Sequence, residues 1–441
     1  MTFRETELPV AWPAMLRRHV AATVVPLTGL AAWRGNEESL PDFSGTRVAF
    51  ACRHLRFSGS VRVLIEQAAA LQPTGAQAMI LCFEDGADPA VVDELRQRAP
   101  CVKAIIRGDR KLRAVRTIWR TAGPFRPHYW IGTDTPDPLI LADKLARLCW
   151  LPVPRIAMVV HEAYDRYLQR LVPWRRRLDA VLLSYDFGAR AAEMLGGSTP
   201  MTILAPLFPL SASGASPERN RERRRAEMRI PQEAQVLGYA GRLGPNKRIE
   251  EMIGLLAELI REGREDVWLL LAGEWELPEY RRKIESRLEV RVQSRGGGVL
   301  SLWERVRLIG PLRDLSEAYE AMDIFLLLSQ AEGFYPLSVL EAQLVGRPVV
   351  CMPAGGLSRV ILDGVTGELL PGLETSRGVE WTEESRTAAL MRIRRLLDCP
   401  DKAAAIGAAG RQVAEWLTTH YSFGPIFRGW LAERLRGGRE R

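Results

Sequence analysis

The chain has 441 residues, of which 47% are hydrophobic and 26% charged, and it carries a net charge of +8. That length allows two domains of ordinary size with terminal extensions, and the composition excludes both a disordered chain and a membrane-embedded one. The excess of arginine suits an anionic partner, but nucleic acid, nucleotide phosphate and acidic lipid satisfy it equally.

Residues 1–44 form no strand–helix repeat and read as an N-terminal extension with one short amphipathic piece over 12–25, ended by Pro26. The apolar stretch 20–33 is interrupted by Pro26 and Gly29 and is shorter than the ~20 residues a spanning helix needs. It follows Arg17, Arg18 and His19, which lie too far from Met1 for a secretory leader, so the expectation is a cytoplasmic protein. From residue 46 the pattern becomes regular. TRVAFACRH (46–54) is a strand, FSGS (57–60) a loop, and 61–71 a helix; QAMILCF (77–83) is the next strand, followed by a helix over 89–98. VKAII (102–106), HYWIG (128–132), RIAMVV (155–160) and DAVLLS (179–184) continue the series. Short apolar runs alternating with helices indicate buried parallel strands.

The alternation pauses at SASGASPERNRERRR (211–225), a solvated linker leading into an arginine-rich helix. A second series follows: VLGYAGR (236–242), VWLLLAG (267–273), VRLIG (306–310), DIFLLLS (323–329) and RPVVCM (347–352), with helices over 249–261 and 336–345 among those between them. From about Thr387 the chain is helical, and SFGPIFRGWLAERL (422–435) reads as a final amphipathic helix. The predicted fold is therefore α/β, two Rossmann-like doubly wound domains facing a central cleft. The extension is 1–44, the N-terminal domain 45–210, the C-terminal domain 211–420, and 421–441 a helix packing back on the first domain. In such sheets ligands bind beyond the carboxyl ends of the strands. Six scattered cysteines without a C-x-x-C pair read as core residues of a reducing compartment, and five dispersed histidines lack zinc-ligand spacing, so no metal is expected.

Chemistry concentrates at the second series. GRLGPNKR (241–248) places Arg242 and Lys247 around a Gly-Pro turn that opens a helix, a combination suited to a diphosphate; a pair of solvated cations is the plainer alternative. In QAEGFYPLSVLEAQLVGRPVV (330–350), Glu332 precedes a short helix and Glu341 lies within it, while the N–H groups at Gly333, Phe334 and Tyr335 would face a phosphate. Each glutamate alone would read as a surface carboxylate. MPAGGLSRVI (352–361) adds Gly355 and Gly356, which permit close backbone approach. All three loops belong at one edge of one sheet.

GYAGRLGPNKRIEEMI, LLLAGEW, VRLIGP, AEGFYPLSVLEAQLVGRPVV and GGLSRVILDGVTGELL resemble, in that order, the donor domain of glycosyltransferase family 4 over most of 236–415. FSGSVRVLIEQAAAL and VVHEAY (159–164) resemble, more loosely, the first loop and helix and the active-site histidine of that family. The resemblance implies the GT-B fold and a retaining, metal-independent transfer of a sugar from a nucleoside-diphosphate sugar, with no cofactor beyond that donor substrate. It implies that Arg242 and Lys247 bind the diphosphate, Glu332 a sugar hydroxyl and Glu341 the ribose. It likewise implies that His161 sits at the reacting face and that Gly59 gives the first loop access to the phosphates. The family usually sets its two glutamates eight positions apart, whereas Glu332 and Glu341 are nine apart, and the loop at Tyr335–Pro336 is expected to absorb the extra residue. The first loop also holds one glycine, between Ser58 and Ser60, where the family has adjacent glycines.

Acceptor recognition falls to the first domain, the acceptor being a glycan or a lipid-linked molecule. RGDRKLRAVRTIWRTAGPFR (107–126) has seven basic residues against Asp109, and LVPWRRRL (171–178) mixes tryptophan with arginine. Both suit peripheral attachment to an anionic membrane, at the inner face of the plasma membrane, and equally a solvated helix face. The basic runs lack a stacking platform for nucleic acid, which is not expected as a partner. A GT-B protein without transfer activity, acting as a binding or assembly subunit, is the alternative that the altered spacing keeps open.

Overall fold

The computed structural model describes residues 8–25, 40–56, 58–82, 87–107, 120, 124–133, 155–161, 165–184, 188–208, 217–312, 316–333, 335–375, 378–421 and 423–436. Two compact units emerge, one from Val25–Pro206 with Tyr421–Arg441, the other from Glu5–Val24 with Leu207–His420.

The first unit holds a seven-stranded sheet of order β3-β2-β1-β4-β5-β6-β7. Its strands are β1 (Arg47–Cys52), β2 (Gln77–Cys82), β3 (Val102–Arg107), β4 (Tyr129–Thr133), β5 (Arg155–Val160), β6 (Ala180–Leu183) and β7 (Met201–Ile203), and every pairing is parallel. Burial explains why their sequences run continuously apolar: from Val48 to Cys52 each residue of β1 is buried, because alternate side chains face opposite layers and both layers are covered. Ala49, Ala51, Met79 and Trp130 face one core cluster. Phe50 and Tyr129 meet the C-terminal helix Phe423–Arg436 through Phe427 and Trp430, the Tyr129 and Trp430 ring centroids lying 5.5 Å apart. Arg428 Nη1 donates to Ala70 O at 3.3 Å, tying this helix to Gly59–Leu71.

The second unit holds a six-stranded sheet of order β12-β9-β8-β13-β14-β15. Here β8 is Gln235–Ala240, β9 Val267–Ala272, β12 Val306–Ile309, β13 Ile324–Leu327, β14 Val349–Cys351 and β15 Glu368–Leu369, again all parallel. Two hairpins stand outside it, β10 (Arg291–Gln293) with β11 (Val299–Ser301), and β16 (Leu373–Thr375) with β17 (Gly378–Glu380). Strands of two or three residues give too few positions for an alternation to be read, which is why these hairpins, β7 and β15 are not evident from sequence.

Charge counting also misses the role of the helix Pro217–Glu227. Arg225 is fully buried and every nitrogen of its guanidinium donates: Nε to Ala321 O at 3.0 Å, Nη1 to Gln232 O and Ala234 O, Nη2 to Asp323 Oδ2 at 2.8 Å. Asp323 in turn accepts from Val236 N at the start of β8. This arginine therefore fastens the helix to the sheet. Residues 8–25, part of the segment set apart as an extension, carry the short helix Ala14–His19 and a wide π-helical turn, Val20–Val24. Both belong to the second unit, where Trp12 packs edge-on against Trp416 and His19 Nε2 donates to Val360 O.

Candidate functional site

The strand order of the second sheet reverses between β8 and β13: from β8 the chain moves out to β9 and β12, and from β13 to β14 and β15. The loops leaving the carboxyl ends of these two neighbours must diverge, and a crevice forms where they part. Lys247 lies in the first loop and Glu332 in the second, and Lys247 Nζ donates to Glu332 Oε1. Their side chains are 12% and 10% exposed, so the two opposite charges are largely withdrawn from water. Gln330 N donates to Asn246 O at 2.8 Å, so the two loops are also joined through their backbones.

The third loop closes on the second. Gly355 has φ +63, and a Cβ there would stand 2.2 Å from Glu332 O and 2.3 Å from Gly333 O, distances no side chain tolerates. Gly356 N donates to Gly333 O at 3.0 Å. All three loops at the carboxyl edge thus converge on Glu332 and Gly333.

Arg242 lies at the same edge but in a wetter position. Its side chain is 48% exposed, and Nη1 donates to Glu276 Oε1 at 2.9 Å. Glu276 follows β9 and was not singled out from sequence, since nothing local marks a carboxylate 34 residues from its arginine. Tyr239 Oη donates to Arg242 O at 3.0 Å, and burial holds that phenol well above its usual value, so it remains a donor.

Glu341 lies inside the helix Leu337–Leu344, buried, and accepts from Tyr319 Oη at 2.9 Å. The helix begins only at Leu337, so the described residues from Glu332 to Pro336 are not helical. Pro336 occupies the cap position, Tyr335 is 2% exposed, and its hydroxyl donates to Gln343 Oε1. The side chain of Tyr335 is therefore a core anchor, which leaves only its backbone for the phosphate contact read from sequence. Phe334 lies outside the described residues. The helix ends as its sequence implies, with Gly346 at φ +77 one residue past the Val345 cap.

In the first unit the order reverses between β1 and β4. Gly59 is the first residue of the helix after β1, with Ser58 as its cap accepting from Val61 N at 3.3 Å. Sequence puts Gly59 in the loop; the serine cap draws it into the helix instead. His161 follows β5, and its Nδ1 is hydrogen-bonded to Ser184 Oγ at 2.8 Å. Two strand spacings separate the ends of β1 and β5, roughly 10 Å. Of the basic segment 107–126, residues 108–119 and 121–123 lie outside the described residues. In 171–178 the 3₁₀ turn Val172–Arg177 leaves Arg175 and Arg176 exposed. No described helix is long and apolar enough to cross a membrane.

Residues 220–413 match the family model described as glycosyl transferases group 1. The D-inositol 3-phosphate glycosyltransferase of Corynebacterium efficiens is 30% identical over 175 residues, covering 39% of this chain and 39% of that protein. The enzyme of the same description from Kineococcus radiotolerans is 27% identical over 276 residues, 58% of each chain. The matches thus cover less than two thirds of either relative. Among solved structures, Anabaena HepE in complex with UDP and glucose is similar with a TM-score of 0.69 at 19% identity, over 89% of this chain and 100% of that one. That likeness establishes the fold as two Rossmann-like domains of the GT-B kind.

Proposed function

We propose that the chain transfers a sugar from a nucleoside-diphosphate sugar to a glycan or lipid-linked acceptor, with retention of configuration and without a metal, on the footing that residues 220–413 match the family model described as glycosyl transferases group 1. The observation that carries this is the meeting of Lys247 and Glu332 at the reversal point of the second sheet. Breaking the anomeric bond develops negative charge on the departing diphosphate and positive charge on the sugar ring. An ammonium has three donors and gives one to Glu332, so the same cation can serve a phosphate oxygen while Glu332 turns its second oxygen to a sugar hydroxyl. Arg242, exposed and able to exchange Glu276 for phosphate, supplies a second fixed charge. That HepE was solved with UDP and glucose supports a nucleotide sugar as donor.

In this reading Glu341, steadied by Tyr319, is assigned to the ribose and His161 to the reacting face of the sugar. The backbone around Gly59 and Gly333 would approach the phosphates. The departing phosphate oxygen takes the acceptor's proton, which needs no separate base. The first domain is assigned to the acceptor, and the exposed Arg175 and Arg176 support contact with an anionic membrane surface. Sedimentation with phosphatidylserine vesicles at low salt should carry the protein down; sedimentation equal to that with neutral vesicles removes the membrane contact.

The decisive experiment presents purified protein with a panel of nucleoside-diphosphate sugars. The true donor at 100 Kd should stabilise the fold by ~2.7 kcal/mol and release its nucleotide in the presence of acceptor or, slowly, of water. Stabilisation without nucleotide release across acceptor extracts would assign the chain to the binding-subunit alternative, and no stabilisation by any donor would remove the transferase.

A further inference from the structure

Arg248 follows Lys247 and adopts φ +54, ψ +48, a left-handed conformation in a residue that carries a Cβ. Such a conformation is strained for a residue with a Cβ and persists only where the surroundings over-determine it. The surroundings here are two carbonyls. Arg248 Nη1 donates to Leu328 O at 3.0 Å, at the end of β13, and Nη2 donates to Val379 O in β17. The β16–β17 hairpin is itself pressed on the same place: Val379 N donates to Gln330 O, and Gly378 at φ +111 lies so close that a Cβ would stand 2.4 Å from that oxygen. One guanidinium therefore joins the loop after β8, the end of β13 and the hairpin. The left-handed residue also turns the chain sharply from the short turn Pro245–Lys247 into the helix Ile249–Arg261. Where that turn sits decides where the Lys247 side chain points.

We propose that Arg248 is a positioning residue for Lys247: its guanidinium, anchored on Leu328 O and Val379 O, holds the turn that presents the Lys247 ammonium to Glu332. Arg248 touches neither Glu332 nor, in this assignment, any part of a donor. It acts through its neighbour. The consequence for donor turnover rests on the transferase reading, whereas the placement of Lys247 does not.

The test separates the two. Trace labelling of amines with acetic anhydride, read by mass spectrometry, measures how accessible and unpaired each lysine is. Arg248→Gly keeps the positive φ without its Cβ penalty and removes only the anchor, so the fold should survive. In Arg248→Gly the labelling rate of Lys247 should rise about fivefold or more, towards that of Glu332→Gln, with Lys103, on β3 of the other unit, as the unchanged internal reference. Arg248→Lys, a single ammonium facing two carbonyls, should restore only part of the protection. Wild-type labelling of Lys247 in a folded Arg248→Gly protein, judged by an unchanged melting temperature, overturns the proposal. With the donor found above, Arg248→Gly should lower kcat about tenfold or more at unchanged melting temperature. If wild-type protein turns over no donor at all, the transferase reading falls, and the labelling result still decides the role of Arg248.

Discussion

At Lys247 an ammonium meets the Glu332 carboxylate with little water around either, whereas Arg242 meets Glu276 in the open. A charge near low-dielectric walls interacts more strongly than one facing solvent, so the two cations should not contribute equally. Lys247→Ala is expected to reduce transfer by ~3 kcal/mol or more in activation free energy, and Arg242→Ala by distinctly less. Steady-state kinetics of both variants on one donor checks the order, and an equal loss would contradict it. Lys247→Ala also leaves Glu332 without its partner, so Glu332→Gln on that background should recover part of the melting temperature. Lys247 and Glu332 were legible because each lies in a loop that a strand-then-helix pattern places at the carboxyl edge. Glu276 and Tyr319 were not, because their roles come from partners 34 and 22 residues away, and no local pattern encodes such a distance.

The loops and helices around these residues show why spacing in sequence is a loose guide to spacing in space. Nine positions between Glu332 and Glu341 would displace one carboxylate by ~100° if a continuous helix joined them. The helix begins only at Leu337, and Tyr335 before it is folded inward on Gln343, so no continuous helix joins the two glutamates. Gly355 makes a sharper demand. Gly355→Ala would force a methyl against the carbonyls of Glu332 and Gly333 at a positive φ, and it should displace Glu332 and lower stability by roughly 1–3 kcal/mol. Denaturant unfolding and transfer kinetics should both respond, and a variant impaired in neither would show that the contact yields. Gly407 has an equivalent part in packing, since a Cβ there would stand 2.1 Å from Gly346 O, where the helix Pro400–His420 crosses the end of Leu337–Leu344.

Over the whole molecule, each unit depends on chain from a distant part of the sequence. The helix Phe423–Arg436 covers Phe50 and Tyr129 on one face of the first sheet, with Phe427 and Trp430 almost fully buried. Ending the chain after His420 would expose that apolar face, and the truncated protein should bind a hydrophobic dye strongly or precipitate. A soluble truncation with unaltered dye binding would show the helix to be dispensable. Acid stability has a definite sign at Asp363. Burial works to raise this carboxyl, yet the Arg392 hydrogen bond, the Leu369 N–H and the charges of Arg392 and Arg395 outweigh it and hold the group below the ordinary range of an aspartate. A group depressed in the folded state contributes stability present above its unfolded value and lost as pH falls through the folded one. Asp363→Asn should therefore flatten the loss of stability below about pH 4 in thermal melts, and an unchanged acid limb would deny Asp363 that part.

The alternation of apolar runs with helical segments was enough to set two parallel sheets, because strands buried on both faces leave a continuous apolar signature. The order of motifs along 236–415 likewise indicated which loops meet at one edge of the second sheet. Tertiary structure alone decided that Lys247 faces Glu332, that Arg225 is a buried fastener within an arginine-rich helix, and that an arginine holds a left-handed turn beside the site. It also decided which distant segments complete each unit. Periodicity reports which face of an element is dry. Partner choice depends on where separate elements end in space, and that is settled only when the sheets are assembled.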